Sequence, residues 1–328
     1  MKLSSNEWDP LRTVIIGIAD DAKVPEIDTG VRTVNYADKI DVSSITPGLY
    51  PKQVIDEANE DLEILVNFLK KEHIKVYRPD KNLIPNYYNY CPRDSVLITD
   101  EGILTTPMSL EARENEWRAV SHILNYYTYN LNISNVANRD SLYNLNCIGN
   151  PNILALNNTV PCFDAANILR ANDELYYLVS NTGNEIGAKY LQEVFPNKRV
   201  HIIKDIYSYI HIDSTIAFLR EGLMLLNPSR VKNIEQLPKS LHNWDVIYCP
   251  NPYDIGHYPG YCNASPWINI NLLSINTNLV VLEENQHDTR KVLEKYNIEC
   301  AMLPMRHART LGGCFHCVSL DIERNEYF

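Results

Sequence analysis

The chain has 328 residues, 45% of them hydrophobic and 22% charged, which is enough to bury a large core as one α/β unit or two smaller domains. Its formal net charge is −11 and no Lys/Arg-rich run offsets it. This argues against nucleic-acid and anionic-membrane partners and suits a small cationic substrate. The opening Met1–Trp8 has no apolar signal region, and no run reaches the roughly 18 apolar residues of a membrane span, so a cytoplasmic protein is expected. The eight cysteines are scattered, as in an intracellular protein that keeps its thiols reduced.

In chain order, Thr13–Ile18 is a short apolar run of buried-strand type. A helix is predicted from Lys52 to Lys71, with Val54, Ile55, Ala58, Leu62, Leu65, Phe68 and Leu69 on one face, followed by the strand His73–Tyr77. Ser95–Thr99 and Gly102–Thr105 read as a hairpin and Glu114–Tyr126 as a helix, whereas the Asn-rich stretch 128–158 carries no clear period. The order recurs with strands Asn167–Arg170 and Leu175–Val179, helix Asn184–Phe195 and strand Val200–Ile203. A fourth unit has strands Thr215–Leu219 and Leu223–Leu226, a weak helix after Arg230 and strand Asp245–Tyr248. The fifth is the cleanest, with strands Leu272–Ile275 and Leu279–Leu282, helix Asp288–Tyr296 and strand Cys300–Leu303. Five ββαβ units, the first completed by a C-terminal strand Cys317–Ile322, point to a closed ring within a single domain over residues 1–328.

Ionisable residues precede equivalent strands. Asp94 precedes the first strand of the second unit, Asp164 that of the third, and His211 and Asp213 that of the fourth, while Cys317 opens the closing strand. In a ring of equivalent units such strand ends converge, so carboxylates, a histidine and a thiol are expected in one pocket. Gly312-Gly313 before Cys314 permits a positive φ or a close backbone approach, and Cys317 is read as the nucleophile. His316 is expected to be a packed or turn histidine and not the base, its side chain pointing away from that of Cys317 on an alternating strand. No second CxxC accompanies Cys314 and Cys317, which argues against a zinc site.

Pro92-Arg93-Asp94, Cys162-Phe163-Asp164-Ala165-Ala166-Asn167, His211-Ile212-Asp213 and Gly312-Gly313-Cys314-Phe315-His316-Cys317, in this order, resemble the amidinotransferases of the guanidino-modifying enzyme superfamily. Asn6–Leu11, Val200–Ile203 and Asn227–Arg230 extend the resemblance over nearly the whole chain. The resemblance implies a five-bladed pseudo-symmetric α/β propeller, or pentein, that transfers the amidino group of L-arginine to an amine acceptor with release of ornithine. It implies Cys317 as nucleophile, His211 as general acid and base, and Asp164 as partner of His211 or of the guanidinium. Asp94 and Asp213 would clamp the guanidinium, and Arg230 and Ser265 would hold the α-carboxylate. No cofactor or metal is implied, and a homodimer is a family expectation. Three positions depart from the family pattern: Asn167 for Asp, Ala264 for a second serine beside Ser265, and Cys314 for a third glycine.

A guanidinium is planar, cationic and resonance-stabilised, so attack on its central carbon calls for a thiolate and for carboxylates that fix its plane. The thiolate is expected to form when the cationic substrate binds. Two alternatives stay open. One is an arginine deiminase-like hydrolase that uses water and yields citrulline; the other is a binding protein of the same fold without chemistry, against which the Cys, His and Asp set argues. The loop Tyr207-Ser208-Tyr209-Ile210 is bulky and points to an acceptor other than glycine. The nearby Cys314 prompts the expectation of a reversible disulfide with Cys317.

Overall fold

The computed structural model describes residues 3–39, 41–43, 45–83, 88–127, 131–207 and 209–324. Ser208, part of the bulky loop noted above, lies outside the described residues, as do Met1 and Lys2.

The apolar runs form five three-stranded sheets. In the first, Leu11–Ile16 pairs in parallel with Lys75–Tyr77 and antiparallel with the C-terminal strand Ser319–Arg324. The second joins Val96–Thr99, Gly102–Thr105 and Leu131–Ile133; the third joins Ile168–Ala171, Glu174–Leu178 and Arg199–Ile203. Ile216–Arg220, Leu223–Leu226 and Asp245–Tyr248 make the fourth, and Leu273–Asn276, Leu279–Glu283 and Glu299–Leu303 the fifth. Every middle strand is antiparallel to one neighbour and parallel to the other. Tight hairpins supply the antiparallel pairing in the second to fifth sheets, with Asn172 (φ 58°) and Gly222 (φ 78°) in the left-handed region at two tips, whereas in the first sheet it joins the two ends of the chain. A crossover supplies the parallel pairing, carried by a helix such as Lys52–Lys71 or Glu185–Val194.

Side chains alternate across a strand, and here the two faces serve two different cores. Ile15 and Ile322 pack with Val96 and Ile98 between the first and second sheets. Leu97 and Leu104 pack with Ile168 and Leu175, Leu169 and Tyr176 with Ile216 and Met224, and Leu223 and Leu225 with Val280 and Leu282. The fifth core returns to the start, joining Leu273 and Val281 to Val14 and Ile16. A strand buried on both faces needs apolar residues at consecutive positions, which is why these strands read as continuous apolar runs.

Several elements differ from the sequence-based expectation. Glu114–Tyr126 is not one helix: short 3₁₀ turns at Glu111–Arg113, Glu116–Val120 and Asn125–Tyr127 flank a single α-turn at Ser121–Leu124. The tight winding directs Arg113 and Glu116 inward, where they pair with each other at 2.9 and 2.8 Å. The weak helix after Arg230 is two 3₁₀ turns, Ile234–Gln236 and Lys239–Leu241, separated by Pro238, which lacks the N–H a helix would use there. The closing strand begins at Ser319, so Cys317 sits in the turn before it and does not open the strand. Among the described residues no helix is long and apolar enough to cross a membrane.

Candidate active site

The segments that precede the first strands of the sheets face one cavity of about 370 Å³. Asp94 ends the 3₁₀ turn Pro92–Asp94, Asp164 caps Ala165–Asn167, and His211 caps the turn that contains Asp213. Asn271 stands two residues before Leu273, as Asp94 stands two before Val96 and Cys317 two before Ser319. All six of these side chains line the cavity.

Cys317 is held on several sides. Its thiol donates to Asp213 Oδ2 at 3.0 Å and accepts from Asn271 Nδ2 at 3.0 Å. The buried thiol of Cys91 lies close by, across Gly313. Gly313 is required here because a Cβ would fall 2.4 Å from Cys317 Cβ and 2.9 Å from Cys91 Sγ. Contact with Cys91, burial and the charge of Asp213 together push the Cys317 thiol well above its ordinary value, so without a cationic ligand it stays protonated.

His211 is clamped by carboxylates. Its Nε2 is 3.1 Å from Asp164 Oδ2, and Nδ1 is 3.8 Å from Asp94 Oδ1. Burial opposes its charge, but Asp94 and Asp164 outweigh burial and raise it to about 9, so the imidazole is protonated at neutral pH. Asp164 is oriented by Ser109, whose backbone N–H and hydroxyl donate to Oδ1 at 2.9 and 3.1 Å.

Asp94 Oδ2 accepts from Arg113 Nη1 at 3.0 Å, while the buried Oδ1 has no hydrogen-bond donor among the described residues. Burial raises the Asp94 carboxyl despite His211 and Arg113. Asp213 behaves oppositely: burial disfavours its charge, yet the bond from His316 Nδ1 at 3.0 Å and the charges of His316 and His211 bring it to about 2. His316 is buried, as a packed or turn histidine would be, and is not among the residues that line the cavity. It lies in a turn, and it meets the same Asp213 oxygen as Cys317.

Ser265 lines the cavity beside Ala264. Arg230, expected at the same end, stands behind Tyr207, its guanidinium carbon 3.5 Å from the ring centroid. Its Nη1 donates to Ser214 O and Oγ and to Thr215 Oγ1 at 2.7–2.9 Å, and it is not among the lining residues. Arg113, Glu116, Cys91 and Asn271 escaped the sequence reading. Arg113 and Glu116 were hidden inside an apparent helix, whereas Asn271 carried a usable signal, its place before the fifth unit's first strand. Among the described residues no group of three or more His, Cys, Asp or Glu side chains is arranged to hold a metal ion.

Sequence relatives place this fold and its thiol, imidazole and carboxylate cavity in the amidinotransferase class. The chain is 38% identical over 336 residues to inosamine-phosphate amidinotransferase 1 of Streptomyces glaucescens, covering 97% of this chain and 95% of that protein. It is 32% identical to the mitochondrial glycine amidinotransferase of Gallus gallus, covering 98% and 82%. The solved inosamine-phosphate amidinotransferase of Streptomyces griseus superposes with a TM-score of 0.91 at 36% identity, covering 100% and 98%. No family model matches the chain. The chain belongs to the amidinotransferase family and shares its fold.

Proposed function

We propose that the protein moves the amidino group of L-arginine to an amine acceptor through a covalent adduct on Cys317, releasing ornithine. The observation that carries this reading is Asp94 Oδ1, buried in the cavity that holds Cys317 and His211, with His211 Nδ1 facing it at 3.8 Å but no hydrogen-bond donor among the described residues. A buried carboxylate oxygen without a donor costs about 1–3 kcal/mol or more, and a guanidinium supplies both the missing N–H and the compensating charge. Asp94 and Asp213 then fix the plane of the guanidinium between them.

The arriving cation also favours loss of the Cys317 proton, which passes to solvent. The thiolate attacks the guanidinium carbon, and protonated His211 gives its proton to the departing nitrogen, so ornithine leaves as an amine. His211, now neutral, takes a proton from the acceptor amine as that amine attacks the amidino-thioether, and the Cys317 thiolate departs. Ser265 holds the donor's carboxylate, and Arg230 supports that end from behind Tyr207 and Ser214. Tyr36, Tyr50, Tyr88, Tyr207 and Tyr209 line the rest of the cavity, which favours an acceptor larger than glycine. The order in which the five cores join the five sheets supports a closed five-bladed propeller with this site on its axis.

Mixing the protein with arginine and a panel of amines tests the proposal. Ornithine release, parallel double-reciprocal lines and an amidino adduct on Cys317 are expected. Citrulline as the product makes the protein a hydrolase, and intersecting lines with no adduct on Cys317 overturn the covalent route.

A further inference from the structure

We propose that Asn271 is a catalytic residue that donates a hydrogen bond to the Cys317 sulfur and stabilises its anionic form. The inference rests on Cys317 being the nucleophile and adds a group that acts on the reacting atom itself.

The orientation of the Asn271 amide is forced by its surroundings. Oδ1 accepts from the backbone N–H of Cys314 at 3.1 Å and of Cys317 at 3.2 Å. An amide nitrogen cannot accept those two bonds, so the NH₂ group must face the sulfur, 3.0 Å away. The backbone carbonyl of Asn271 adds a bond from His316 N at 3.3 Å, so one residue grips the turn at three of its amides. Asn271 is 5% exposed, and burial in a low-dielectric site strengthens a hydrogen bond to an anion.

Asn271 differs in kind from the other partners of the sulfur. Asp213 is an anion that accepts from the thiol and therefore favours the protonated form. Cys91 brings a second buried thiol. The amide N–H is a neutral donor, and its bond strengthens as negative charge gathers on sulfur. That occurs when the thiol loses its proton before attack, and again when the acceptor displaces the thiolate from the amidino-thioether.

Asn271→Asp and Asn271→Ala test this. The first retains the oxygen that grips the two backbone amides and removes the donor; the second removes both. Iodoacetamide alkylation of Cys317, located by mass spectrometry across a pH series, reads the thiolate without needing any substrate. In both variants the alkylation midpoint is expected to move up by about one pH unit or more. Adduct formation from arginine is expected to slow about 10- to 100-fold, with the donor KM within about threefold of wild type. Because the aspartate also brings a negative charge to the sulfur, Asn271→Ala decides: a turn-holding role alone would lower its melting temperature and leave its alkylation midpoint at the wild-type value, and that result overturns the proposal. Wild type that forms no adduct, or a Cys317→Ser variant that keeps activity, refutes the nucleophile reading instead. The alkylation profiles still decide the role of Asn271 in that event.

Discussion

His211 Nε2 stands 3.1 Å from Asp164 Oδ2, and Asp164 is itself fixed by two bonds from Ser109. The imidazole thus has one preferred orientation and, flanked by Asp94 on its other nitrogen, a proton ready to give. Burial alone would strip that proton; the two carboxylates restore it and bring the group to about 9.

A pH dependence follows. The folded value lies above the ordinary histidine value of roughly 6.5, so His211 contributes stability that is complete below about pH 6.5 and lost as pH rises through about 9. The contribution is on the order of 3 kcal/mol. Urea midpoints are expected to fall across this window in wild type and to change less in Asp164→Asn. An NMR titration that puts the His211 ring near 6.5 in the folded protein would contradict the prediction.

Arg113 pairs with two buried carboxyl groups, Asp94 at 3.0 Å and Glu116 at 2.8 Å; burial pushes Glu116 up to about 8, so the charge that Arg113 balances is that of Asp94. Arg113→Met is expected to destabilise the fold by about 3–5 kcal/mol, because it leaves buried charge uncompensated. Donor binding should weaken as well, since Asp94 loses the cation that orients it. Adding Asp94→Asn should recover part of the stability and none of the donor affinity, as measured by denaturant unfolding and donor KM.

At Gly313 the limit is space. A methyl group there meets Cys317 Cβ, Cys91 Sγ and Cys317 Sγ within about 3.0 Å, so Gly313→Ala must push the nucleophile aside. We expect a loss of about 1–3 kcal/mol in stability and of about 100-fold or more in kcat/KM, since an ångström of misplacement is costly to attack geometry. Wild-type kcat/KM in a folded Gly313→Ala variant would refute this.

Oxidation should pair Cys317 with Cys91, not with Cys314 as the sequence suggests. A Cβ on Gly313 would stand 2.9 Å from Cys91 Sγ and 3.0 Å from Cys317 Sγ, so the two sulfurs are near neighbours. Peroxide takes two electrons and two protons from the two thiols, forming the disulfide and water. Peptide mapping of the inactivated protein is expected to show Cys91 joined to Cys317, with activity restored by dithiothreitol. Cys314→Gly should behave as wild type, whereas Cys91→Ala should lose reversible inactivation.

Much of this architecture was legible in the chain. The hairpins around Asn172 and Gly222 announced themselves through turn residues between apolar runs, and the helix Lys52–Lys71 through its buried Val54, Ala58, Leu62, Leu65 and Leu69. The stretch around Arg113 was not legible. Its hydrophobic spacing imitates a helix, while its course is set by Glu116 and Asp94, one of them far away in sequence. His316 was legible as a packed or turn histidine, whereas its bond to Asp213 was not, because strand alternation does not apply in the turn that extends through Cys317.

By itself, the sequence determined the strand-forming runs, their fivefold recurrence and the chemical types placed before equivalent strands, because periodicity and turn chemistry are local. Only the tertiary structure decided which of those groups touch: that Asp213 receives both Cys317 and His316, that Asp94 Oδ1 has no hydrogen-bond donor among the described residues, that Arg230 stands behind Tyr207 and that Asn271 faces the sulfur. Hydrogen bonds and ion pairs depend on ångström distances between segments tens to hundreds of residues apart, and those distances exist only once the sheets have packed.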